Sequence, residues 1–409
     1  MSAIENIQAV IDIGSSRLRV LIAQSNTEGK FSVLGCGVVN AEAVKAGVIK
    51  DIAAAKQALH YAIEEAERQS GYEIRNVDVA IGGEYVMGLN SEAQIFVSNQ
   101  QVGNAHMREL VLQARHKVSE PSQQILHILA QQYVLDGRYE VAYPESMPAR
   151  QVNASYHVLR ADQTMCATIK RCVEAAGVGV NAIVSSALAS SYMATTAEER
   201  EMGVCLLDIG AGTSDFMIWL NGVPIASGGL TIGGEQVSSH LAGKYSTTRQ
   251  YAEMLKCQQG AMLLPLMKTQ FLELPHTGLR SGRKIESADF VAAIYESYAQ
   301  LFQHFEAALR RLGMREIPIH SIVITGGAAQ LPGLTHYLEE KFALPARLAK
   351  PYFIEGLADH LQYDAGMTGV LGIAKLLYEP LPDHVWEIQP KRDIIRKLKH
   401  IFGRGSQWA

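Results

Sequence analysis

The feature that most constrains the fold of this chain is a strand–turn–strand unit that occurs twice, once near residue 12 and once near residue 208. In the first copy, an apolar run leads into a polar turn at 12–16 and then into alternating apolar and basic residues. In the second copy, an apolar run leads into a turn at 208–215 and a further strand that ends at Asn221-Gly222. Both patterns are typical of a β-hairpin with a polar tip. A repeat at this distance is far longer than a solenoid unit, so it predicts two related α/β domains.

Length and composition limit the class of protein. A chain of 409 residues is too long for one compact core, and its 48% hydrophobic and 19% charged residues are ordinary for a globular protein. The formal net charge of −4 gives no chain-wide basic surface, so we expect no nucleic-acid partner. The five cysteines show no CxxC spacing, which predicts reduced thiols. Because neither a charged leader nor an apolar run of membrane-spanning length is present, we expect the chain to begin and stay in the cytoplasm.

Helical patterns follow each hairpin, at 52–69, 163–176 and 285–312. Between 84 and 162 the pattern changes to short strands and one helix at 105–118, which predicts an inserted α+β subdomain. The predicted division is a first lobe (1–83 and 163–200), the insert (84–162), a second lobe (201–242 and 318–376), a nucleotide and partner subdomain (243–317), a linker (377–390) and a tail (391–409).

The two polar turns carry the residue types that a nucleotide phosphate needs. Glycine leaves backbone N–H groups uncovered, hydroxyls donate further hydrogen bonds, and a carboxylate can hold a hydrated Mg²⁺ ion. A single Asp-x-Gly turn is often no more than a hairpin, but two matched copies predict two clamps that face each other across a cleft. Asp12 and Asp208 are the predicted metal residues, acting mostly through water. The predicted phosphate-binding residues are Gly14, Ser15, Ser16, Arg17, Gly210, Gly212 and Thr213.

A third element is an apolar strand at 322–325 that runs into the small residues Gly326-Gly327-Ala328 and then a helix. Alone it is an ordinary strand-to-helix turn. In order after the two hairpins, it resembles the pattern of the actin-like ATPases, in which small residues let an adenine ring lie against the backbone. Segments 183–189 and 364–369 resemble the two connecting helices of that superfamily. The resemblance implies an α/β, actin-like (ribonuclease H-like) duplicated two-domain fold with a central nucleotide cleft.

The C-terminal segment has a separate pattern. Residues 391–409 contain six Lys or Arg and one Asp, and their large apolar residues recur at helical spacing. This pattern predicts a helix that lies on an anionic membrane surface. A helix packed on the protein's own core is the other interpretation, and five exposed apolar residues disfavour a basic arm for nucleic acid. The predicted membrane residues are Lys391, Arg392, Ile394, Ile395, Arg396, Leu398, Lys399, Ile401 and Phe402.

The actin-like core, the insert and the basic tail together resemble the FtsA family of bacterial cell-division proteins. The resemblance implies ATP and Mg²⁺ as cofactors, at most slow ATPase activity, and polymerisation of the protein with itself. It also implies that the C-terminal tail of FtsZ is a partner, that other divisome proteins bind the insert, and that FtsZ filaments are anchored to the cytoplasmic face of the inner membrane at the septum. The implied adenosine contacts are Gly233, Glu235, Glu253, Lys256, Gly326, Gly327, Ala328 and Gln330.

Several alternatives stay open. Glu253 and Lys256, three positions apart on a helix, also fit an ordinary surface ion pair. The insert departs from the usual FtsA pattern at 143–149. A pilus-assembly adaptor of the PilM type shares the fold but lacks a tail of this kind. A sugar kinase of the same superfamily needs a catalytic carboxylate in the cleft, and Asp215 is the extra acidic residue beside a phosphate turn.

Overall fold

The computed structural model describes residues 6–25, 31–98, 100–275, 281–314, 318–378 and 385–386. The first lobe opens with an antiparallel three-stranded meander, and a fourth strand lies parallel beside its first strand. One helix covers part of the outer face of this sheet. These elements are β1 (Asn6–Ile13), β2 (Arg17–Ser25), β3 (Phe31–Asn40), β4 (Val44–Lys45), β5 (Val48–Ile49), α1 (Ile52–Ser70) and β6 (Asn76–Ile81).

The insert is a separate antiparallel sheet with one helix packed on it. Its three main strands have 11, 13 and 12 residues, so the prediction of short strands was wrong. The turns on either side of β8 lie at 119–122 and 136–150, so no turn interrupts 123–135 or 151–162. The elements are β7 (Val86–Phe96), α2 (Asn104–Val118), β8 (Gln123–Leu135), β9 (Tyr139–Val141) and β10 (Gln151–Asp162).

The chain then completes the first lobe and crosses to the second. A helix packs beside α1, a strand adds to β6 in parallel, and a second helix leads into the next lobe. Asp162 and Ser185 cap these two helices by accepting backbone N–H bonds from Met165 and Leu188. The elements are α3 (Gln163–Ala175), β11 (Gly179–Ser185), α4 (Ser186–Ala194) and α5 (Ala197–Met202).

The second lobe repeats the meander-and-parallel pattern. Its elements are β12 (Val204–Ile209), β13 (Ser214–Leu220), β14 (Val223–Leu230), α6 (Gly234–Tyr245), α7 (Arg249–Gln259), β15 (Phe271–Leu274), β16 (Arg283–Glu286), α8 (Ser287–Arg311), β17 (Ser321–Thr325), α9 (Leu334–Phe342), β18 (Ala346–Leu348), α10 (Thr368–Tyr378) and β19 (Val385–Trp386). Short 3-10 helices lie at Leu264–Leu266, Gly327–Gln330, Asp359–Leu361 and Ala365–Met367. The helix predicted from 285 starts at Ser287, because the preceding residues pair with β15.

The two lobes have sheets of the same topology. The first sheet has the order β11-β6-β1-β2-β3, and the second has the order β18-β17-β12-β13-β14. In both sheets the three-stranded meander is antiparallel, and the other two strands are parallel to its first strand. The hairpin turns close in the same way, since Gly14 N–H donates to Arg17 O (3.1 Å) and Gly210 N–H donates to Thr213 O (2.9 Å). The duplication predicted from the repeated turn is confirmed.

Two helices lie between these sheets. α4 and α10 cross each other, and their apolar faces share one buried cluster with both sheets, which includes Val10 and Leu21 from the first and Leu206 and Val323 from the second. The crossing is so close that a Cβ at Gly372 would overlap the carbonyl oxygen of Ala189. The outer faces of the sheets are covered by α1 and α3 on one side and by helices of the second lobe on the other.

The insert contacts the second lobe as well as the first. His157 Nε2 on β10 lies 2.7 Å from Ser227 Oγ on β14, and Gln131 donates to Pro224 O (2.7 Å). Burial lowers the pKa of His157 to about 4, so the ring is neutral at physiological pH. The insert therefore covers the β14 edge of the second sheet with a seam of neutral hydrogen bonds.

Part of the predicted linker forms a strand. Val385–Trp386 pairs antiparallel with Leu129 and Ile128 of β8 in the insert. The predicted membrane helix at 391–402 lies outside the described residues. Among the residues that the structure describes, no helix is both long enough and apolar enough to cross a bilayer.

Candidate functional site

The two polar turns face each other across the space between the lobes. A Cβ at Gly212 would lie 2.5 Å from Ser15 Oγ and 2.8 Å from the backbone N of Ala46. Ser15 Oγ in turn accepts a hydrogen bond from Gly47 N–H (2.9 Å). Residues without a side chain are thus required where the second turn meets the first lobe. The structure therefore brings the two turns that were predicted as clamps next to each other.

Asp12 and Asp208, the predicted metal residues, lie near the ends of the first strands of the two hairpins. Ser190 of α4 donates to Asp208 Oδ2 (2.5 Å). Gly326 follows β17 with φ +91°, and a Cβ there would overlap Asp208 Oδ1 and lie 2.6 Å from Ile209 O. A glycine is therefore needed at this position both for its left-handed backbone and for the close approach of the carboxylate.

The third carboxylate of the cleft is Asp215. In the β12–β13 pair Asp215 lies directly opposite Asp208, so both side chains project from the same face of the sheet. Asp215 Oδ1 accepts a hydrogen bond of 2.6 Å from Gly83 N–H of the first lobe. Asp215 therefore links the second turn to the segment that leads into the insert.

Burial raises the pKa of all three carboxyl groups. The pKa of Asp208 is raised to about 6 and that of Asp215 to about 7, and the neighbouring carboxylates add to both increases. For Asp12, burial also raises the pKa, although the Arg19 guanidinium opposes the shift. Burial is the main cause of these shifts, because it disfavours the charged form of a carboxyl group. When ionised, the three carboxylates also outnumber the guanidinium of Arg19, which forms an ion pair with Asp12. A divalent cation would supply the missing charge, so the donor set fits Mg²⁺.

The described residues contain no group of three His, Cys, Asp or Glu side chains arranged to hold a metal ion by themselves. Two carboxylates are nonetheless the usual protein contribution to a Mg²⁺ site, because Mg²⁺ keeps several waters and takes its other ligands from phosphate oxygens. Asp12 and Asp208 match that pattern through their oxygen donors.

The residues predicted to contact adenosine lie next to the second turn. Gly234 and Glu235 at the start of α6 donate backbone N–H bonds to Gly210 O (3.0 Å) and Ala211 O (2.7 Å). Lys256 of α7 is buried, and its Nζ donates to Gly234 O (2.7 Å) and Ser238 Oγ (2.9 Å). Gly233 is required here, since a Cβ would lie 2.5 Å from Gly210 O.

Glu253 and Lys256 form an ion pair of 2.7 Å, but it is not an ordinary surface pair. The Lys256 side chain is 7% exposed and lies beneath the α6 N-terminus. Burial raises the pKa of Glu253, but the charge and hydrogen bond of Lys256, together with hydrogen bonds from Ser238 and Cys257, outweigh burial, so the net pKa is lowered. The pair therefore fixes α7 against α6 and the backbone of Gly234.

The other predicted site residues are more dispersed. Glu235 is paired with Arg249 (2.6 Å), and Gln330 donates to Asp364 Oδ1 (2.9 Å). Ala328 touches the α6 start, because a Cβ at Gly234 would lie 2.9 Å from the Ala328 Cβ, while Gly327 is exposed. Ser16 and Arg17 are also exposed, and Thr213 lies against Gly47, whose Cβ position is 3.1 Å from Thr213 Cγ2.

Sequence reasoning missed two residues of the cleft. Arg19 on β2 forms an ion pair with Asp12 (3.2 Å), and Ser190 donates to Asp208. Strand register could have identified Arg19, because a turn closed between Gly14 and Arg17 places position 19 opposite position 12. For Ser190 the sequence carries no comparable signal, since it lies in the middle of a fully buried helix.

Comparison with known proteins shows the family and the fold. The family model described as "Cell division protein FtsA" matches residues 205–367, and the model described as "SHS2 domain inserted in FTSA" matches residues 83–160. A cell division protein FtsA of Pseudomonas aeruginosa is 33% identical over 362 residues, which are 88% of this chain and 87% of that protein. A cell division protein FtsA of Borreliella burgdorferi is 27% identical over 406 residues, which are 97% and 98% of the two chains.

Solved structures of other proteins have the same fold as this chain. The PilM-PilN type IV pilus biogenesis complex contains a chain that superposes with a TM-score of 0.66 at 18% identity, covering 91% of this chain and 99% of that one. MreB 5 of Spiroplasma citri bound to AMPPNP superposes with a TM-score of 0.53 at 13% identity, covering 96% and 98%. At these identities the likeness concerns the fold alone, and that fold is the actin-like one with an inserted domain. The 33% identity to the P. aeruginosa protein over most of both chains, together with the match to the FtsA family model, shows that this chain belongs to the FtsA family of cell division proteins.

Proposed function

We propose that the cleft between the two turns binds ATP with Mg²⁺. The observation that carries this proposal is the approach of Gly212 to Ser15, which brings two glycine-containing turns and two strand-end carboxylates into one cleft. Backbone N–H groups and hydroxyls of the two turns would bind the phosphates from opposite lobes. Asp12 and Asp208 would hold hydrated Mg²⁺, which offsets the charge of the phosphates and of the carboxylates.

The adenosine would lie against the start of α6 and the small residues after β17. Gly327 and Ala328 are small and not buried, so a ring can approach the backbone there, whereas Gly233 and Gly326 let the surrounding backbone pack closely. The buried Lys256 holds the α6 start in place. Glu235, Glu253 and Gln330 carry the polar groups nearest to this surface, and Gly327 is exposed beside them. A ribose would be recognised by carboxylate acceptors of this kind.

The carboxyl pKa values predict that Mg²⁺·ATP binding releases protons. Because the pKa values of Asp208 and Asp215 are raised in the folded protein, both carboxyl groups are partly protonated at pH 6. The folded protein loses stability as these groups ionise between about pH 4 and 7. A bound cation lowers both pKa values and displaces the protons. Titration calorimetry in two buffers of different ionisation enthalpy should show release of roughly one proton at pH 6.5 and almost none at pH 8.5.

The matched control for this measurement is Asp208→Asn, which uses the same nucleotide and so cancels protons that come from ATP itself. We expect Asp208→Asn to release fewer protons at pH 6.5 than the unchanged chain. Equal release by both proteins, or release that persists unchanged at pH 8.5, would show that these carboxyl groups do not face the bound cation.

We further propose that the protein polymerises and anchors FtsZ filaments to the cytoplasmic face of the inner membrane at the division septum, through the basic tail at 391–409 and contacts with the C-terminal tail of FtsZ. The support is the cationic, apolar-striped sequence of this tail together with membership of the FtsA family. One short amphipathic helix binds a membrane weakly, whereas many tails along one filament bind it strongly. Other divisome proteins would bind the insert.

Co-sedimentation with liposomes that contain anionic lipid tests this proposal. We compare the full chain with a chain ended after Pro390, each with and without Mg²⁺·ATP. The full chain should pellet with liposomes more strongly with ATP, and the shortened chain should stay in the supernatant. Nucleotide binding measured on both chains provides the control, because truncation should leave it unchanged. Equal pelleting of the two chains would contradict a membrane role for the tail.

A further inference from the structure

The duplicated hairpin carries opposite charges at one pair of equivalent positions. In the second lobe Asp208 lies opposite Asp215 across the β12–β13 pair. In the first lobe Asp12 lies opposite Arg19 across the β1–β2 pair. Both pairs have the same spacing and stand next to the same kind of turn, so Arg19 is the structural counterpart of Asp215. One hairpin therefore brings a second carboxylate to the cleft, and the other brings a cation.

The Arg19 side chain is held in place rather than free in solvent. It is 14% exposed, and its Nη1 lies 3.2 Å from Asp12 Oδ2. Its Nη2 is covered by the segment before α10, where a Cβ at Gly366 would lie 3.1 Å away. Its Nε is buried and has no hydrogen-bond partner among the residues that the structure describes. Arg17, two residues earlier on the same strand, is exposed.

The charges around Arg19 are unbalanced without it. Asp215 is buried, Asp12 and Asp208 are half-buried, and the hydrogen bonds to Asp208 and Asp215 come from neutral donors, Ser190 and Gly83. In the described part of the chain, Arg19 is the cation that forms an ion pair with this cluster. When all four groups are ionised, one guanidinium leaves a net charge that a single divalent cation can offset. Without Arg19, Asp12 would repel a nucleotide phosphate with its full charge.

We propose that Arg19 is a built-in counter-cation of the nucleotide site, which neutralises Asp12 and allows the cleft to retain nucleotide when Mg²⁺ is removed. The inference rests on the proposed function of the cleft as a Mg²⁺·nucleotide site. Arg19 acts through Asp12 and is a positioning residue. The guanidinium is part of the chain, so its contribution does not depend on metal supply.

The test is the affinity for ADP of the full chain, measured by titration calorimetry with excess EDTA and with Mg²⁺. In EDTA, Arg19→Met should weaken binding about tenfold or more, the size expected for one charged hydrogen-bond partner. In Mg²⁺, the same variant should bind within about threefold of the unchanged chain, because the metal replaces the lost charge. Arg75→Met, which removes an exposed arginine of the same lobe, should change neither value.

Two further variants separate charge from structure. Arg19→Lys keeps the positive charge and should retain most of the metal-free binding; a loss as large as that of Arg19→Met would overturn the proposal. On an Asp12→Asn background, Arg19→Met should have little further effect in EDTA, because the charge to be neutralised is gone. A direct contact between Arg19 and phosphate would instead cost the same affinity on both backgrounds.

The outcomes also separate this inference from the proposed function. If the unchanged chain binds ADP in Mg²⁺ but not in EDTA, or if Arg19→Met weakens both equally, the role of Arg19 is wrong and the nucleotide site stands. If the unchanged chain binds no nucleotide under either condition, the proposed function itself fails. Thermal melting of every variant without nucleotide identifies any variant that does not fold. In the double variant Asp12→Asn, Arg19→Met both side chains are neutral, so neither position carries an unpaired charge.

Discussion

Gly372→Ala is expected to destabilise the protein by about 2 to 4 kcal/mol, although alanine favours a helix over glycine by about 1 kcal/mol. Gly372 lies in α10 at its crossing with α4. A Cβ there would overlap the carbonyl oxygen of Ala189 and lie 2.5 Å from its carbonyl carbon. Both obstacles are backbone atoms in a helix that packs against both sheets, so neither can move without disturbing both lobes. The thermal unfolding midpoint should fall by about 2 to 5 °C.

The matched control for this change is Gly243→Ala in α6. Gly243 also lies within a helix, but nothing would come within 4 Å of its Cβ. There only helix propensity acts, so the midpoint should stay the same or rise. If Gly372→Ala melts at or above the temperature of the unchanged chain, α4 and α10 do not cross as closely as described here.

The features that the sequence predicts well are the ones encoded locally. The two turns at 12–16 and 208–215 contain their own glycines, hydroxyls and carboxylates, and each closes with a hydrogen bond inside its own hairpin. Their repetition predicts two equivalent lobes, and the two sheets do have the same strand order. The sequence also predicts functional glycines, Gly212 for phosphate and Gly326 for adenosine, and the structure requires a glycine at both because a Cβ would overlap Ser15 or Asp208.

Features that depend on residues far apart in sequence could not be predicted in the same way. Arg17 and Arg19 look alike in an alternating strand, but only Arg19 is covered, because the segment at 364–366 packs over it. Ser190 meets Asp208 only because α4 passes between the sheets. Likewise, the prolines near 380 predict a linker, yet Val385–Trp386 extends the insert's sheet because β8 offers an unpaired edge.

Asp215 belongs to the second turn by sequence but forms its hydrogen bond with the other lobe. Its position in the second turn predicts either a catalytic carboxylate or a structural turn residue. In the structure, Asp215 accepts a hydrogen bond from Gly83 N–H of the other lobe, and a Cβ at Gly82 would lie 2.9 Å from its Oδ1. The carboxylate thus holds the two lobes together at the point where the chain enters the insert. Its raised pKa follows from this burial rather than requiring a catalytic role.

Gly212→Val is expected to lower the affinity for Mg²⁺·ATP on the order of 100-fold, equivalent to about 3 kcal/mol. The new side chain would begin 2.8 Å from the backbone N of Ala46 and 2.5 Å from Ser15 Oγ, so the two turns must separate. Separation removes the simultaneous contact of both clamps with one set of phosphates, and the branched side chain covers the N–H groups of the second turn. Since each lobe keeps its own core, the change acts on the cleft and much less on folding.

Nucleotide affinity measured by titration calorimetry checks this, with thermal melting of the nucleotide-free protein alongside. Gly103→Val is the matched control. Gly103 has φ −120°, and the nearest atom to its Cβ would be His106 Nδ1 at 3.9 Å in the insert, so the same substitution there should leave affinity unchanged. Gly212→Ala should have a smaller effect in the same direction, because one methyl group already meets both contacts. If Gly212→Val binds Mg²⁺·ATP with an affinity within about threefold of that of the unchanged chain, binding does not need both turns. The proposal that the two facing turns form one nucleotide site would then be wrong.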